Sequence, residues 1–250
     1  MTNETTPQKM LRILDLIEES HDPVTTEIML EQLGFTRSTL YRYLKNLTES
    51  GLISSIPEAG FTFGPRITEL DYQMRQRDPL ISASRPVMAE LAKSERGVAL
   101  LCRRYRNRVL CIHQEHGDIS FRSNYERGLA RTLFHGAASR IILAYLGSAT
   151  INRLFAQFAE DFSGAGLGKT AAEAREVLRQ MRQRGWDITH AQVTQGVTGI
   201  AVPLFDLRGE ILGSLSLTIK AQELVEPDRQ RLIERVQFCS AIIRKAMRQD

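Results

Sequence analysis

The chain has 250 residues, with 33 Lys and Arg against 29 Asp and Glu, a formal net charge of +4 and 42% hydrophobic residues. This near-average composition excludes wholesale disorder, collagen-like repeats and coiled-coil fibres. No apolar run approaches the roughly 18 residues of a membrane span, and residues 1–10 lack the order of a secretion signal. We therefore expect no membrane partner and a cytoplasmic location.

The cysteines are few and scattered along the chain. Cys102, Cys111 and Cys239 are odd in number and form no C-x-x-C motif, which argues against a disulfide framework and against a zinc site. The sequence therefore predicts a protein of a reducing compartment, with neither a metal nor a cofactor.

The positive charge is unevenly distributed. Residues 1–81 hold 8 Lys and Arg against 12 Asp and Glu, a net charge of −4, which leaves +8 for residues 82–250. An N-terminal domain that binds DNA must therefore use a local basic patch.

Three short helices are predicted within residues 1–51 from their caps and apolar spacing. The first is capped by Thr6, with Pro7 in the first helical position. The second is capped by Thr25 and stopped by Gly34, and the third opens at Thr36. Their inward residues are, in chain order, Met10, Ile13, Leu14, Ile17, Ile28, Met29, Leu33, Leu40, Leu44 and Leu47. The second and third helices form a helix-turn-helix pattern, in which the third helix enters a major groove.

The outward face of the third helix carries the candidate DNA-binding side chains. They are Arg37, Ser38, Thr39, Tyr41, Arg42 and Lys45. The segment 36–47 thus has three positive charges and no acid, and such side chains bond phosphates and base edges. A solvated, purely structural face is the alternative interpretation of the same residues.

A hairpin wing is predicted behind the third helix. Residues 52–56 and 61–63 have the pattern of two short strands, and the turn 57–60 joins them. The tip carries Glu58 and no Lys or Arg. We therefore expect the wing to contribute little to phosphate contact.

The order of residues 24–53 resembles the winged helix-turn-helix of the IclR family of bacterial transcription regulators. The matching positions are Thr39, Arg42, Leu44, Leu47, Gly51, Leu52 and Ile53. Residues 63–70 are similar to the family segment that ends the wing and starts a linker helix. The resemblance implies a winged helix-turn-helix domain over 1–64, a linker helix over 65–81, and a GAF-like α+β domain for effector binding and oligomerisation over 82–250.

The C-terminal region alternates between strand and helix patterns. Asp78 and Pro79 predict a helix start, followed by the apolar residues Leu80, Ile81, Val87, Met88 and Leu91. The predicted strands are 98–105, 108–114, 119–123, 196–205 and 211–219, and the later helices are 137–147, 150–160, 171–184 and 227–247. This order indicates an α+β domain with a mostly antiparallel sheet.

The resemblance continues through residues 134–144 and 185–209, which are similar to the family segments that build an effector pocket. Carried over to this sequence, it implies effector contacts from Ala137, Ala138, Thr189, Val197, Gly199, Ser216 and Thr218. Ser216 and Thr218 are two apart on a strand, so both hydroxyls face one side and can donate to a carboxylate or carbonyl. On the residues alone, a solvated sheet face is the simpler interpretation of this pair.

In the N-terminal unit the acid-tipped wing and Phe63, which stands in a leucine position, depart from the family pattern. In the effector segments three further positions depart from it. Arg140 stands where the family usually has lysine, Ser139 replaces the preceding glycine, and Thr189 stands where some members have an acid. The threonine suggests a ligand that does not need a carboxylate as acceptor. Small residues and free amides at the start of the helix 137–147 would suit an anion.

The segment 164–170 looks superficially like a phosphate-binding loop. The motif needs a glycine five positions before Gly168, and Ser163 occupies that place. A capping box of Thr170 and Glu173 at the start of the next helix is the preferred interpretation.

Cys111 and His113 lie on the same face of a predicted strand, so a Cys/His nucleophile is conceivable. No orienting carboxylate is evident from the spacing, and buried cysteines usually serve packing. We therefore predict that the protein is not an enzyme.

The sequence thus predicts a ligand-responsive regulator of transcription. Its expected partners are a pseudo-palindromic double-stranded DNA operator, a small organic acid or aromatic effector, and further copies of itself in a dimer or a dimer of dimers. One alternative is a small-molecule sensor that acts through protein partners without binding DNA. The other is an enzyme that uses Cys111 or His113.

Overall fold

The structure is a computed structural model that describes residues 4–117, 125–224 and 228–248. The chain divides into two compact units, Met1–Arg77 and Asp78–Asp250. The first unit is a small helical domain with a two-stranded hairpin, and the second contains a six-stranded sheet with helices. The predicted α+β class is confirmed.

Four helices and one hairpin make up the first unit. Their bounds are α1 Thr6–Glu19, α2 Thr26–Leu33, α3 Arg37–Glu49, β1 Ile53–Ile56, β2 Gly60–Phe63 and α4 Pro65–Arg77. The helix ends follow the predicted caps with one shift. Thr5, and not Thr6, caps α1, and its N–H donates to Gln8 Oε1 at 2.8 Å. Thr25 and Thr36 cap α2 and α3 as predicted, accepting a backbone N–H at 3.4 and 3.3 Å respectively.

The three N-terminal helices bury one apolar core. Met29 is fully buried in α2, whereas Ile28, predicted to face inward, is 39% exposed. Successive helix residues point about 100° apart, so the two turns of α2 bury one narrow stripe and not both neighbours. Tyr43, which the spacing did not predict, is also buried, and its ring packs edge-on against Phe35 with centroids 5.7 Å apart.

The predicted hairpin is present, with β1 and β2 antiparallel over four residue pairs. Val24 and Phe61 exchange two backbone hydrogen bonds of 2.9 Å, which fasten the hairpin to the start of α2. Gly60 has a φ of +119°, and a Cβ there would lie 2.6 Å from the Val24 carbonyl oxygen. Only glycine fits this approach. The helix that follows, α4, has no buried side chain.

The second unit begins at Asp78, which caps α5 by accepting the Leu80 N–H at 2.9 Å. Residues 78–81, which the resemblance assigned to the linker, therefore begin α5. The bounds of its elements are α5 Pro79–Glu95, β3 Val98–Tyr105, β4 Arg108–His116, β5 Ala130–Thr132, α6 Ala137–Ala144, α7 Ser148–Gln157, α8 Ala159–Gly164, α9 Ala171–Arg184, β6 Asp187–His190, β7 Val197–Phe205, β8 Ile211–Lys220 and α10 Asp228–Ala246.

The strands form one antiparallel sheet in the order β5-β4-β3-β8-β7-β6. Helices α5 and α10 pack on one face, and the core on the other face includes residues of α6, α7, α8 and α9. The alternation along β3 shows the division, because Leu100 and Cys102 belong to one core while Ala99 and Leu101 belong to the other. The sheet is thus covered on both sides.

Most differences from the predicted elements concern short segments. The three-residue β5, the four-residue β6 and the six-residue α8 were not predicted, because segments this short carry too little periodicity. The predicted strand 119–123 and the predicted helix start Pro227 lie outside the described residues. Within the described ranges, no helix is both long and apolar enough to cross a membrane.

Candidate DNA interface and effector pocket

The candidate DNA-binding side chains follow one side of α3. Thr39 is half-buried, and the other five side chains are exposed in the described part of the chain. They occupy the side opposite the buried residues Leu40, Tyr43, Leu44 and Leu47. The helix therefore buries its apolar side in the core and leaves its polar side exposed, as a recognition helix that lies in a major groove must.

The three cations of this side differ in their partners. Lys45 Nζ lies 3.8 Å from Glu49 Oε1, but both side chains are more than half exposed, so this pair is weak. The Arg42 guanidinium lies 5.4 Å from the centroid of the Tyr43 ring. Among the described residues, no salt bridge joins Arg37 or Arg42 to an acid. Both arginines are therefore available to phosphates or to guanine.

The wing tip is acidic, as the sequence indicates. Glu58 has a φ of +62° at the turn and is exposed. No cation stands beside it in the segment 57–60. The basic side of α3 is therefore the best candidate for the DNA interface in this unit.

A small cavity in the second unit brings together all the residues that the resemblance assigned to an effector. Ala137, Ala138, Thr189, Val197, Gly199, Ser216 and Thr218 all line it. The other lining residues are Leu100, Tyr125, Gly136, Gln192, Val193 and Thr194. The cavity volume is about 30 Å³, room for roughly two water molecules. Among the described lining residues, no side chain carries a formal charge at neutral pH.

The floor of the cavity is a row of the sheet. Thr189, Gly199 and Thr218 are direct neighbours across β6, β7 and β8. Gly199 has no side chain, so it leaves open space between the two threonines. A Cβ added there would lie 3.8 Å from both Ala137 Cβ and Thr189 Oγ1. The cavity therefore depends on this glycine.

The N-terminus of α6 forms another wall of the cavity. Side chains distant in sequence accept hydrogen bonds from two of its backbone N–H groups. The Gly136 N–H donates to Gln192 Oε1 and the Ala137 N–H donates to Thr189 Oγ1, both at 3.0 Å. The Ala138 carbonyl accepts from Ser214 Oγ at 2.9 Å. The positive end of α6 thus faces the cavity, which favours an anionic or carbonyl group there.

Two of the hydroxyls that line the cavity belong to β8. Ser216 is 2% exposed and Thr218 is 6% exposed, so the interpretation of a solvated sheet face is wrong. Both side chains line the cavity, where a bound oxygen ligand would find two hydroxyl donors.

Tyr125 and Gln192 also line the cavity, although no sequence pattern pointed to either. The Tyr125 hydroxyl lies 2.9 Å from Ser139 Oγ, and both side chains are buried. Burial raises the pKa of Tyr125 well above its usual value, so this hydroxyl stays protonated. The two residues lie in segments without a helix or strand, where periodicity makes no prediction.

Arg140, which replaces the usual lysine, points away from the cavity. Its Nε lies 2.9 Å from Asp187 Oδ2, without the alignment of a hydrogen bond, and Arg184 donates to the other carboxylate oxygen at 2.6 Å. Burial raises the pKa of Asp187 despite these two cations. The cluster joins α6, α9 and β6, and so holds the N-terminus of α6 over the sheet.

The alternative chemistries find little support in the geometry. Cys111 is buried, and its thiol donates to the backbone oxygen of His113 at 3.3 Å. Contrary to the expectation from spacing, a carboxylate does approach the imidazole, since Glu115 Oε1 lies 2.8 Å from His113 Nε2. The Cys111 thiol thus bonds to the backbone of His113 and the Glu115 carboxylate to its ring, an arrangement that does not support a Cys/His nucleophile. The described residues contain no group of metal-ligating side chains that could hold an ion.

The segment 164–170 ends α8 and caps α9. Thr170 accepts the Glu173 N–H at 3.2 Å, which confirms the predicted cap. The Glu173 carboxylate accepts the Lys169 N–H at 2.8 Å, one residue before the position a capping box requires.

A winged helix-turn-helix with a basic helix side, followed in the chain by an α+β unit with a small, partly open cavity, is typical of a transcriptional regulator with a separate ligand-responsive domain. The family model of the bacterial transcriptional regulator IclR C-terminal domain matches residues 73–245. The model of the IclR helix-turn-helix domain matches residues 6–57. The chain belongs to the IclR family of transcriptional regulators.

Known regulators and solved structures are similar to this protein over most of the chain. The HTH-type transcriptional regulator BhcR of Paracoccus denitrificans is 26% identical over 84% of this chain and 75% of its own length. XynR of Escherichia coli is 22% identical over 96% of both chains. The crystal structure of a regulator from Alicyclobacillus acidocaldarius matches 98% of this chain and 100% of its own, with a TM-score of 0.80 and 20% identity. An IclR homologue of Microbacterium hydrocarbonoxydans complexed with 4-hydroxybenzoate covers 98% of this chain and 100% of its own, with a TM-score of 0.77 and 18% identity.

Proposed function

We propose that this protein binds a pseudo-palindromic operator through α3 and that a small carboxylic acid in the cavity of the second unit alters its affinity for DNA. The observation that carries the DNA part is the exposed side of α3, with Arg37, Arg42 and Lys45 and no acid within 36–47. Arginine and lysine bond phosphates, and arginine is the commonest reader of guanine.

Two copies of α3 are needed for useful affinity. The first unit has a net negative charge outside its basic helix, so each copy neutralises few phosphates. A dimer or a dimer of dimers would place two helices in successive major grooves, with half-site spacing set by the symmetry of the protein. The logarithm of the affinity should therefore fall only modestly with the logarithm of the salt concentration.

The effector part of the proposal depends on the cavity. A carboxylate there would accept hydrogen bonds from Ser216 and Thr218 and would lie at the positive end of α6. Thr189 Oγ1 already accepts the Ala137 N–H, so a ligand in the cavity would lie beside this hydrogen bond. The effector would favour one placement of the DNA-binding units, a coupling commonly of about 1–3 kcal/mol, or roughly 5- to 150-fold in DNA affinity.

A mobility-shift assay tests both parts. The full chain is titrated onto the DNA upstream of its own gene, and onto unrelated DNA of equal length, with and without a panel of carboxylates. We expect specific retardation whose midpoint moves with one member of the panel. A protein that binds a carboxylate but shows no preference for its upstream DNA would instead be a cytoplasmic sensor that acts through protein partners.

A further inference from the structure

A second, much larger cavity lies in the same unit, at the C-terminal end of α6. Its volume is about 390 Å³, within the range of small-molecule sites, whereas the effector cavity at the N-terminal end of α6 has about 30 Å³. Its lining residues come from β3 and the turn after it, from α6 and the residues that follow, and from the start of β8. They are Arg104, Arg106, Ile142, Leu146, Ile211 and Leu212. We call this cavity the hairpin groove, because Arg106 belongs to the turn between β3 and β4.

Four of the six lining side chains of the hairpin groove are aliphatic. Ile142 and Leu146 are buried, and Ile211 and Leu212 are half-buried. Covering such side chains with an apolar group releases the water in contact with them, which is favourable in proportion to the area covered. The groove therefore suits a ligand with an apolar body.

The two arginines of the hairpin groove have donors to spare. Arg104 Nε donates to the Arg106 backbone oxygen at 2.8 Å, which holds the guanidinium at the groove. The Arg106 guanidinium lies 5.3 Å from the centroid of the Tyr105 ring. In the described ranges of the chain, no acid forms a salt bridge with Arg104 or Arg106. Both guanidinium groups therefore have N–H donors for an acceptor from outside.

A third arginine increases the positive charge at this place. Burial and the like charge of Arg153 in α7 together lower the pKa of Arg104, because each disfavours the charged guanidinium. Arg153 is exposed, and no salt bridge joins it to an acid within the described part of the chain. A bound oxyanion would relieve this repulsion and would accept paired hydrogen bonds from the guanidinium fork.

We propose that the hairpin groove is a second ligand site, which binds an amphipathic anion with its oxyanion head group on Arg104 and Arg106 and its apolar body on the aliphatic side chains. Such a ligand differs in class from that of the effector cavity, which has room for roughly two water molecules. Among the described residues, none lines both cavities. Binding in the groove is therefore independent of the proposed effector.

The test measures the binding of four probes to the full-length protein by isothermal titration calorimetry, each below its critical micelle concentration: octanoate, octyl sulfate, butyrate and octyl glucoside. At least one of the two octyl anions should bind about tenfold or more tightly than butyrate, because each methylene removed from water strengthens binding about three- to fourfold. It should exceed octyl glucoside, which has the same chain and no charge, by a similar factor.

Arg104→Gln combined with Arg106→Gln should weaken the binding of that octyl anion about tenfold or more, the usual effect of losing hydrogen bonds to a charged group. Arg106 is exposed, so the single variant Arg106→Gln should fold normally and weaken binding several-fold even if the double variant is unstable. Arg85→Gln is the matched control and should bind as the wild type does, because Arg85 is an exposed arginine of α5, on the opposite face of the sheet.

Ser216→Ala combined with Thr218→Val separates the two cavities, since both side chains line the effector cavity and neither lines the hairpin groove. This variant should bind the octyl anion like the wild type. Octyl anions that bind no more tightly than butyrate and octyl glucoside would overturn the ligand class. Wild-type binding by the arginine variants, or its loss in the Ser216 and Thr218 variant, would overturn the location. Mobility shifts on the same preparations show separately whether DNA binding and the response to short carboxylates stand.

Discussion

A single methyl group on Gly199 should weaken the effector response without harming the fold. The backbone at Gly199 lies outside the left-handed region, and an added Cβ meets Ala137 Cβ and Thr189 Oγ1 at 3.8 Å, an ordinary contact distance. The methyl would take up about half of the 30 Å³ cavity, since a group of its size needs roughly 10–15 Å³. Gly199→Ala thus narrows the cavity without strain.

The two effects of Gly199→Ala have opposite signs. Removal of a glycine from an unstrained position stabilises by about 0.4–1 kcal/mol, and the newly buried methyl adds up to about 0.8 kcal/mol. At about 2–4 °C per kcal/mol for a unit of this size, the melting temperature should rise by a few degrees. Overpacking of the bound state by about 1–3 kcal/mol should weaken effector binding roughly 5- to 150-fold.

Differential scanning fluorimetry and the mobility-shift assay together measure both effects. Gly164→Ala is the matched control, because Gly164 lies in α8 with nothing within 4 Å of an added Cβ. It should leave the effector response as it is. A Gly199→Ala protein that melts at a higher temperature and responds to the effector at wild-type concentrations would refute the assignment of the cavity.

Three further changes test the site and its supports. Ser216→Ala combined with Thr218→Val removes both cavity hydroxyls and should abolish the shift caused by carboxylates; an unchanged midpoint in the mobility-shift assay would contradict this. Because burial raises the pKa of Tyr125, its hydroxyl contributes stability that is complete below about pH 10 and is lost as the pH rises towards the folded-state pKa, so Tyr125→Phe should flatten the alkaline fall in melting temperature. Asp187→Asn leaves the buried Arg140 guanidinium without a carboxylate and should lower the free energy of unfolding in urea by roughly 3–5 kcal/mol, whereas a loss under 1 kcal/mol would show that the pair is not a support.

Features set by neighbouring residues were predictable from the sequence. Thr25, Thr36 and Thr170 cap helices because a hydroxyl before a helix has backbone N–H groups within reach. The hairpin wing follows from alternating residues around a glycine turn. The caps join residues three apart and the hairpin pairs residues at most ten apart, so local chemistry decides them.

Contacts between distant segments were not predictable in this way. The Gly136 N–H meets Gln192, 56 residues away, and the Tyr125 hydroxyl meets Ser139, 14 residues away. On spacing alone, Ser216 favoured a solvated face, and only the sheet order brings it under α6. The family resemblance supplied seven of the lining residues, but it carried no signal for Tyr125 or Gln192.

A measurement of how much Arg42 contributes to operator binding tests most directly whether α3 is the DNA-binding helix. Fluorescence anisotropy would follow the titration of a labelled upstream fragment by the wild type, Arg42→Ala and Arg153→Ala at several salt concentrations, Arg153 being an exposed arginine of the second unit. We expect Arg42→Ala to weaken binding by about 1–3 kcal/mol, with a smaller salt slope if the side chain contacts phosphate. Arg153→Ala should match the wild type. An Arg42→Ala protein with wild-type affinity and salt slope would contradict the assignment of α3 as the DNA-binding helix.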